Sequence, residues 1–337
     1  MICVWNVRGA GKQLFSTNIV DLRRLYQFDI LAIFEPRISG SKASSVIRNI
    51  GFSNSFVVDA AGFSGGIWLL WNNSQVKLQI IASSRQCITA LVEENSFVWV
   101  LTVVYANPCV TTRRLLWKYL DSIRKCFALP WLIAGDFNEI TNTSEKIGGR
   151  PGFSNSGFAE WIDSNHLVDL VFTGPKFTWK TKRGIGKEIW ERLDRALYST
   201  DWRLGYAEGY VRHLPRVLSD HCHVLIQLHS NQIPNSKCKP FCFEAMWMKH
   251  KKFDEIFCKN WCAQEDTAIE NIQNLTGILK KWNKEEFGNL FHNKRRLLAR
   301  IQGVQKCLSE RFFQHLSLLE ESLLDKYQET LEQEEIF

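Results

Sequence analysis

The sequence predicts an α/β sandwich, in which sheets pack face to face with helices outside them, followed by an all-helical appendage. Over roughly the first 230 residues, short runs rich in β-branched and aromatic residues outnumber helical patterns, and several alternate with period two. From about residue 248 glycine and proline nearly vanish and helix formers dominate. A polar, proline-containing stretch separates these two regions of different composition. We therefore expect a domain over 1–230, a linker over 231–247 and a helical hairpin or coiled-coil-like segment over 248–337.

The strands and helices of the first part are short and follow one another closely. The β-rich runs, in chain order, are ICVWN, ILAIFE, SFVVDA, GGIWLLW, VKLQIIA, CITALVEE, FVWVLTVVYA and WLIAGDF. Helical periodicity appears near residues 15–27, 41–50, 112–127 and 156–166. In the last part, apolar residues recur at steps of three or four from Leu297 to Leu331, which predicts one long amphipathic helix folded back on a helix near 265–287.

Composition and charge narrow the class of protein. No apolar run is long enough to cross a bilayer, and the first residues do not resemble a secretory signal, so we expect a protein that is neither membrane-spanning nor secreted. The formal net charge is +7, and the excess lies before residue 237 because the later residues carry equal numbers of acidic and basic side chains. A polyanionic partner such as nucleic acid fits this excess, and so does ordinary solubility.

The ten cysteines are expected to be free thiols in a reducing compartment. Two pairs with a four-residue spacing, Cys238 with Cys242 and Cys258 with Cys262, flank His250 and raise the alternative of a zinc site. Structural zinc pairs usually stand two to four residues apart on a knuckle, whereas the second pair falls in a helical pattern, where this spacing places both residues on one face. Core thiols are the interpretation we prefer.

Polar side chains recur where the predicted strands end. In LPWLIAGDFNEI, residues 129–140, a buried strand is followed by Asp136 and Asn138. Comparable polar residues near the other strands are Asn6, Glu35, Tyr105, Asn107, Asp194, Asp220 and His221. A sheet edge of this kind is where open α/β folds place their sites, and hard oxygen ligands suit Mg²⁺. Each position alone also fits a turn or a cap.

Six of these features occur in the order found in one known family: Asn6, Glu35, Tyr105, GDFN at 135–138, RLDR at 192–195 and SDH at 219–221. They resemble the endonuclease/exonuclease/phosphatase family, which includes DNase I-like nucleases and apurinic endonucleases. WNVRG, FEPR and ERLDRAL look most like the endonuclease domain of LINE-type retrotransposon polyproteins, particularly plant ones. The resemblance implies a DNase I-like four-layer α/β sandwich with a C-terminal all-α helical appendage.

The rest of the chain agrees with that resemblance. KPFCFEAMW and KKWNKEEFGNLFHNKRRLLARI look like the segment that joins such a nuclease to a reverse transcriptase. No Asp-Asp pair occurs, so the reverse transcriptase itself is not expected in this chain. The helical tail would then contact another protein or a reverse transcriptase supplied elsewhere, and a DNA substrate implies a nuclear location.

The resemblance implies a role for each site residue. Glu35 would coordinate Mg²⁺, or Mn²⁺ in its place, with Asn6 and Asp220 close to the ion. Asp136 would activate or orient the attacking water, or protonate the leaving oxygen. His221, oriented by Asp194, would stabilise the charge on the phosphorane or serve as a base.

Other side chains are expected to contact the substrate. The family resemblance assigns phosphate contacts to three of them, Asn138, Tyr105 and Asn107. Trp179 lies in a loop-like stretch among Lys176, Lys180, Lys182 and Arg183, a mixture of aromatic and basic residues typical of a DNA contact, although a core or rim role also fits. Arg192, in RLDR, is a further candidate.

The chain departs from the family at one position. Apurinic-type relatives carry an Asp two residues after the first Asn, and this sequence has Arg8 there. A carboxylate of the metal site is thus replaced, which argues against a two-metal site. Arg8 is a candidate contact to a DNA phosphate.

Three alternatives remain open from the sequence. GFSGG at 62–66 matches the nucleophile elbow of α/β-hydrolases, but that motif needs a helix after the turn and the following residues predict strands. A catalytically decayed retroelement remnant would act only as a binding module. An enzyme of the same fold could hydrolyse a phospholipid or inositol phosphate instead of DNA.

Overall fold

A computed structural model describes residues 1–60, 65–72, 76–94, 97–149, 157–181, 188–229, 252–261, 268–286, 288–311 and 313–336. The chain forms two compact units. The first contains residues 1–230 together with 302–320, and the second contains 231–301 with 321–337. The expected linker at 231–247 and the cysteines of the zinc alternative other than Cys258 lie outside the described residues.

The strands are β1 (Ile2–Asn6), β2 (Ile30–Phe34), β3 (Asn54–Val58), β4 (Ile67–Trp71), β5 (Lys77–Ser84), β6 (Cys87–Glu94), β7 (Phe97–Tyr105), β8 (Trp131–Asp136), β9 (Lys146–Ile147), β10 (Leu167–Asp169), β11 (Phe172–Thr173), β12 (Trp179–Lys180), β13 (Trp190–Glu191), β14 (Asp194–Ser199), β15 (Tyr210–His213) and β16 (Val224–Gln227). The helices are α1 (Gln13–Tyr26), α2 (Gly40–Ile50), α3 (Val110–Cys126), α4 (Phe158–Ser164), α5 (Thr200–Gly205), α6 (Phe253–Asn260), α7 (Ala268–Glu286), α8 (Gly288–Glu310) and α9 (Gln314–Ile336). The eight strand runs and four early helices named from the sequence each correspond to one of these elements.

Two large sheets form the centre of the first unit. One has the strand order β11-β15-β16-β1-β2-β4-β3 and the other the order β10-β14-β8-β7-β6-β5, while β12-β13-β9 form a small third sheet. Because side chains alternate along a strand, Ile2 and Val4 enter the core between the two large sheets, whereas Cys3 and Trp5 face α1 and α2 on the outside. Helices α3 and α4 cover the other sheet. The four-layer α/β sandwich is therefore confirmed.

Strand register brings the predicted site residues to one edge. Parallel pairing of β1 with β2 places Asn6 opposite Phe34, directly before Glu35. Parallel pairing of β7 with β8 places Tyr105 opposite Asp136, and antiparallel pairing of β8 with β14 places Asp136 opposite Asp194. Strands from both sheets thus end at a common cluster.

The expectation of one continuous C-terminal helix is wrong. Helix α8 ends at Glu310 and α9 begins at Gln314, although the apolar spacing continues unchanged from Leu308 to Leu316. Both leucines pack against Phe177 and Trp190. The break between α8 and α9 therefore coincides with packing against the first unit's own residues, which the spacing of apolar residues in the sequence cannot reveal. This packing also places residues 302–320 in the first unit, whereas the sequence-based division grouped them with the helical segment.

The second unit has a small apolar core of its own. In α6 and α7 the buried apolar side chains are Phe253, Leu275, Leu279 and Trp282, and the rings of Phe253 and Trp282 lie 6.4 Å apart. Cys258 is an exposed free thiol in α6. Among the residues that the structure describes, no helix has the length and apolar character required to cross a membrane.

Candidate active site

Left-handed backbone is concentrated where the strands end. Arg8, Glu35 and Asn138 have φ values of 48°, 50° and 47°, a conformation that costs energy for side chains other than glycine and often accompanies functional sites. Gly135, with φ 147°, precedes the catalytic candidate Asp136. A Cβ at Gly135 would lie 2.0 Å from a backbone oxygen of β7, so only glycine permits this close pairing of β7 and β8.

A buried histidine lies between two carboxylates at the centre of the cluster. His221 Nδ1 is 2.9 Å from Asp194 Oδ2, and His221 Nε2 is 3.8 Å from Asp136 Oδ2. All three side chains are at most 2 % exposed. His221 Nε2 has no hydrogen-bond partner within the described part of the chain. A buried nitrogen of this kind is costly, and an added acceptor at this position would remove the cost.

The charges of this cluster depend on one another. Burial alone would lower the pKa of His221, but Asp194 and Asp136 outweigh it and raise that pKa to about 9. Burial, together with the Asp194 carboxylate, raises the pKa of Asp136 to about 7, against the opposing effect of His221. At neutral pH His221 is therefore an imidazolium, with a carboxyl group beside it that can exchange a proton.

Asn6 and Tyr105 connect Asp136 to Glu35. Asn6 Nδ2 donates to Asp136 Oδ2 at 2.9 Å and to Glu35 Oε1 at 3.2 Å, and the Tyr105 hydroxyl donates to Glu35 Oε1 at 2.8 Å. Burial would raise the pKa of Glu35, but the hydrogen bonds from Arg37, Tyr105 and Asn6 hold it below its usual value. Glu35 is therefore a carboxylate at neutral pH.

Arg8 occupies the gap between two carboxylates. Its Nη1 is 3.1 Å from Asp220 Oδ2 and its Nε is 4.0 Å from Glu35 Oε1. Trp179 Nε1 donates to the same Asp220 oxygen at 3.0 Å, and the Trp179 ring lies 6.4 Å from that of His221. A cationic group thus already lies between Glu35 and Asp220. Their oxygens are the donor type that Mg²⁺ prefers, so these residues fit a divalent ion.

Asn138 and Asn107 form hydrogen bonds with backbone groups beside this cluster. Asn138 donates through its backbone N–H to Asp136 Oδ1 at 2.9 Å and through Nδ2 to the Ala106 carbonyl at 2.7 Å, which fixes the orientation of Asp136. The Asn107 side chain accepts from the Cys109 N–H at 2.8 Å. Asn107 and Tyr105 line a cavity of about 440 Å³ that opens beside the cluster.

Arg192 is placed apart from the cluster. It is buried and donates to both oxygens of Asp169, at 2.7 and 2.8 Å, and to Glu145 at 2.9 Å. Arg195 pairs with the same two carboxylates. The two arginines of RLDR therefore form an internal ion-pair network. The sequence did not indicate Glu145 or Asp169 as their partners.

The basic residues around Trp179 have different environments. Lys180 Nζ pairs with Glu320 at 2.8 Å, and Lys176 Nζ lies over the Phe177 ring at 5.4 Å. Residues 182 and 183 fall outside the described ranges. In GFSGG the described residues Gly65 and Gly66 lead directly into strand β4, where a nucleophile elbow would require a helix.

Comparison with known protein families and solved structures assigns the chain to a family. Residues 3–221 match the Endonuclease/Exonuclease/phosphatase family, and the chain belongs to it. Among solved structures, the endonuclease domain of TRAS1, a telomere-specific non-LTR retrotransposon, is similar with a TM-score of 0.50 and 15 % identity, covering 68 % of this chain and 98 % of that one. An AP endonuclease from Archaeoglobus fulgidus gives a TM-score of 0.50 at 13 % identity, covering 67 % and 98 %. No curated protein sequence matches.

Family membership defines a hydrolase, a nuclease or phosphoesterase of the kind that generally depends on a divalent metal. One group of side chains that could hold an ion as a set is Asp136, Asp194 and His221, whose ligand atoms lie within 4.8 Å of one another. A protonated imidazole has no free lone pair, however, so this set binds an ion only when His221 is neutral. Glu35, whose pKa is held below its usual value, needs no such change.

Proposed function

We propose that the protein is a Mg²⁺-dependent endonuclease that hydrolyses phosphodiester bonds in DNA and nicks target DNA, as a LINE-type endonuclease does. The observation that carries the proposal is the buried Asp194–His221 pair, whose outer nitrogen Nε2 lacks a partner among the described residues. A phosphate oxygen is the acceptor that would complete it. Hydrolysis of a phosphodiester builds negative charge on such oxygens, and a buried imidazolium stabilises that charge.

In this proposal Asp136 accepts a proton from the attacking water. Its pKa, raised by burial to about 7, suits it to the role of general base near neutral pH. Hydrogen bonds from Asn6 and Asn138 hold both of its oxygens in place. His221 Nε2, 3.8 Å away, donates toward the phosphate that the water attacks.

Asp194 keeps the histidine ready for this role. It accepts a hydrogen bond from the Nδ1–H of His221, which fixes the ring and leaves the Nε2–H to donate to the substrate. Glu35 and Asp220 would hold the Mg²⁺ ion, with Asn6 nearby. When bound, the ion supplies a positive charge that stabilises the anionic oxygens of the phosphate. Mn²⁺ has the same preference for oxygen ligands and would serve as well.

DNA is the favoured substrate for two reasons. The net charge of +7 lies in the part of the chain that contains the site, and a polyanion is attracted to such a surface. The motifs WNVRG, FEPR and ERLDRAL resemble LINE-type endonucleases, and the TRAS1 endonuclease domain has a similar fold. A nuclear place of action would follow from this substrate.

The test is nicking of supercoiled plasmid by the purified full chain with Mg²⁺, with Mn²⁺ and with EDTA. His221→Ala removes the charged imidazole, and His229→Ala, whose side chain is 61 % exposed, is the matched control. We expect metal-dependent nicking by the parent and by His229→Ala, with a loss of at least about a hundredfold in His221→Ala. The nicks should carry 3′-hydroxyl ends that DNA ligase seals.

Two other results would identify the alternatives. Binding of DNA without nicking, by folded protein and with either ion, would contradict the proposal and indicate a binding module. Release of phosphate from an inositol phosphate by a protein that leaves plasmid intact would indicate a same-fold phosphoesterase.

A further inference from the structure

Residues 302–320 pack into the endonuclease unit, although the 71 residues from 231 to 301 separate them from residue 230. Leu308 is buried against Phe177 and Trp190, and Val304 and Leu316 extend the same apolar cluster. Phe177 lies two residues before β12 and Trp190 is the first residue of β13, the small strands beside the candidate active site. The contact therefore reaches the part of the fold that carries Trp179.

Gln305 forms a paired contact with the backbone of Arg216. Its Oε1 accepts from the Arg216 N–H at 2.9 Å, and its Nε2 donates to the Arg216 carbonyl at 3.2 Å. The same Nε2 donates to Glu320 Oε1 at 2.9 Å. Gln305 is fully buried, so each of these bonds replaces a bond to water that folding removed.

Glu320 is a buried carboxylate that lies between two cations. Its Oε1 lies 3.3 Å from Arg216 Nη2 and its Oε2 lies 2.8 Å from Lys180 Nζ. Burial would raise the pKa of Glu320, but Arg216 and Lys180 hold it below its ordinary value. Arg216 Nη1 also donates to the Phe177 carbonyl at 3.1 Å. Without the carboxylate, the buried Arg216 would lose its counter-charge, and Lys180 would keep only Glu188, whose Oε1 lies 3.9 Å from its Nζ.

The segment that these contacts hold, residues 177–180, is bonded to the active site. The Lys180 N–H donates to the Asp220 carbonyl at 3.1 Å, and Trp179 Nε1 donates to Asp220 Oδ2 at 3.0 Å. Thr178 Oγ1 accepts from the backbone N–H of Asp194 at 3.0 Å. One short strand thus positions Asp220 on one side and Asp194 on the other.

We propose that residues 302–320 are an integral part of the endonuclease, and that Glu320 is a positioning residue that acts on the site through Lys180 and residues 177–180. The effect on catalysis rests on the proposed function. Glu320 also neutralises Lys180, so its removal would expose a positive charge to DNA and could raise the rate instead. The contacts support positioning because they bury an apolar cluster and Arg216 besides pairing with Lys180.

The test compares Glu320→Gln with Glu310→Gln in the full chain. The two changes remove the same charge, but Glu310 is exposed on α8. In Glu320→Gln we expect kcat for plasmid nicking to fall about tenfold, with a smaller change in KM, because a displaced site loses rate more than binding. The conservative variant Glu320→Asp keeps the charge and should recover part of kcat. Glu310→Gln should match the parent.

Hydrogen exchange read by mass spectrometry gives a readout that does not depend on activity. The backbone amide of Lys180 donates to Asp220, so a peptide spanning residues 177–181 should exchange faster in Glu320→Gln than in the parent or in Glu310→Gln. If Glu320→Gln does not fold, Gln305→Met removes one hydrogen bond to Glu320 and two to the Arg216 backbone but leaves both ion pairs of Glu320, and it should show the same change to a smaller extent.

Either of two results would overturn the proposal. A folded Glu320→Gln that nicks at the parental rate would give residues 302–320 a role in stability alone, and one that nicks faster would show that they screen Lys180. If the parent itself does not nick DNA, the proposed function fails, and the exchange comparison still decides the positioning. Equal exchange of residues 177–181 in both variants would then refute it.

Discussion

Replacing Arg8 by glutamine tests how a divalent ion enters the site. Arg8 lies 3.1 Å from Asp220 and 4.0 Å from Glu35, the two carboxylates to which we assign the ion. An ion between those carboxylates requires the guanidinium to leave. Arg8→Gln removes this competing charge and keeps a polar side chain of moderate length, so we expect tighter binding of Mg²⁺.

The size of the gain follows from the exposure of Arg8. The Arg8 side chain is 39 % exposed, so solvent screens both of its ion pairs, and pairs of that kind contribute about 0.2–1 kcal/mol each. Two such pairs amount to about 0.4–2 kcal/mol, and the middle of that range is about 1.2 kcal/mol. Since about 1.4 kcal/mol corresponds to a tenfold change in Kd, the affinity for Mg²⁺ should rise by about tenfold.

Isothermal titration calorimetry of Mg²⁺ into the metal-free protein measures this affinity without reference to catalysis. Arg37→Gln is the matched comparison, because Arg37 is 40 % exposed and pairs with the other oxygen of Glu35, outside the gap. Equal gains in both variants would indicate a general effect of charge. An unchanged or weaker affinity in Arg8→Gln would refute the idea that Arg8 competes with the ion. A higher KM for DNA would further indicate that the displaced Arg8 contacts a phosphate.

Three more predictions concern proton transfer and stability. The rate of nicking should rise through pH 7, as Asp136 loses its proton, and fall through pH 9, as His221 loses the charge that stabilises the phosphate; a flat profile contradicts these roles. Glu145→Gln should lower the free energy of unfolding, measured with urea at pH 7, by about 2 kcal/mol. This figure is the free energy that corresponds to the fall in the pKa of Glu145 from 4.5 to about 2, reduced to allow for screening by solvent. That stability is complete above about pH 5 and lost toward pH 2, so an equal gap between variant and parent at pH 2.5 would contradict it. Gly135→Ala should prevent folding or cost at least about 3 kcal/mol, whereas Gly277→Ala, with open space around its Cβ, should be neutral or slightly stabilising in thermal unfolding.

The sequence predicted the strands near the site because two local patterns coincide there. Period-two apolar residues identify the strands, and a polar residue at each strand end needs a partner or solvent. Asn6, Glu35 and Asp136 follow this rule, and strand register then brings them together. The family resemblance added the order of the motifs, which no single strand end could provide.

Contacts between distant residues could not be predicted in this way. Arg192 was expected at the substrate because an arginine in a motif is a plausible phosphate ligand, yet Glu145 and Asp169 surround it in the fold. Lys180 was likewise a candidate DNA contact, but in the fold it pairs with Glu320, which is 140 residues away in the sequence. A charged side chain has the same appearance in a sequence whether it is solvated or buried beside a counter-charge.

The two histidines of SDHCH, residues 219–223, illustrate what distinguishes a candidate catalytic group from a structural one. His221 and His223 are both buried and two residues apart, so neither hydropathy nor spacing separates them. His223 stacks on Trp5 with ring centroids 3.8 Å apart, and burial lowers its pKa to about 3, which leaves it neutral. His221 experiences the same burial, but Asp194 and Asp136 reverse its effect. The neighbouring carboxylates, supplied by strands β8 and β14, therefore make one imidazole a cation able to act on phosphate and leave the other as part of the core.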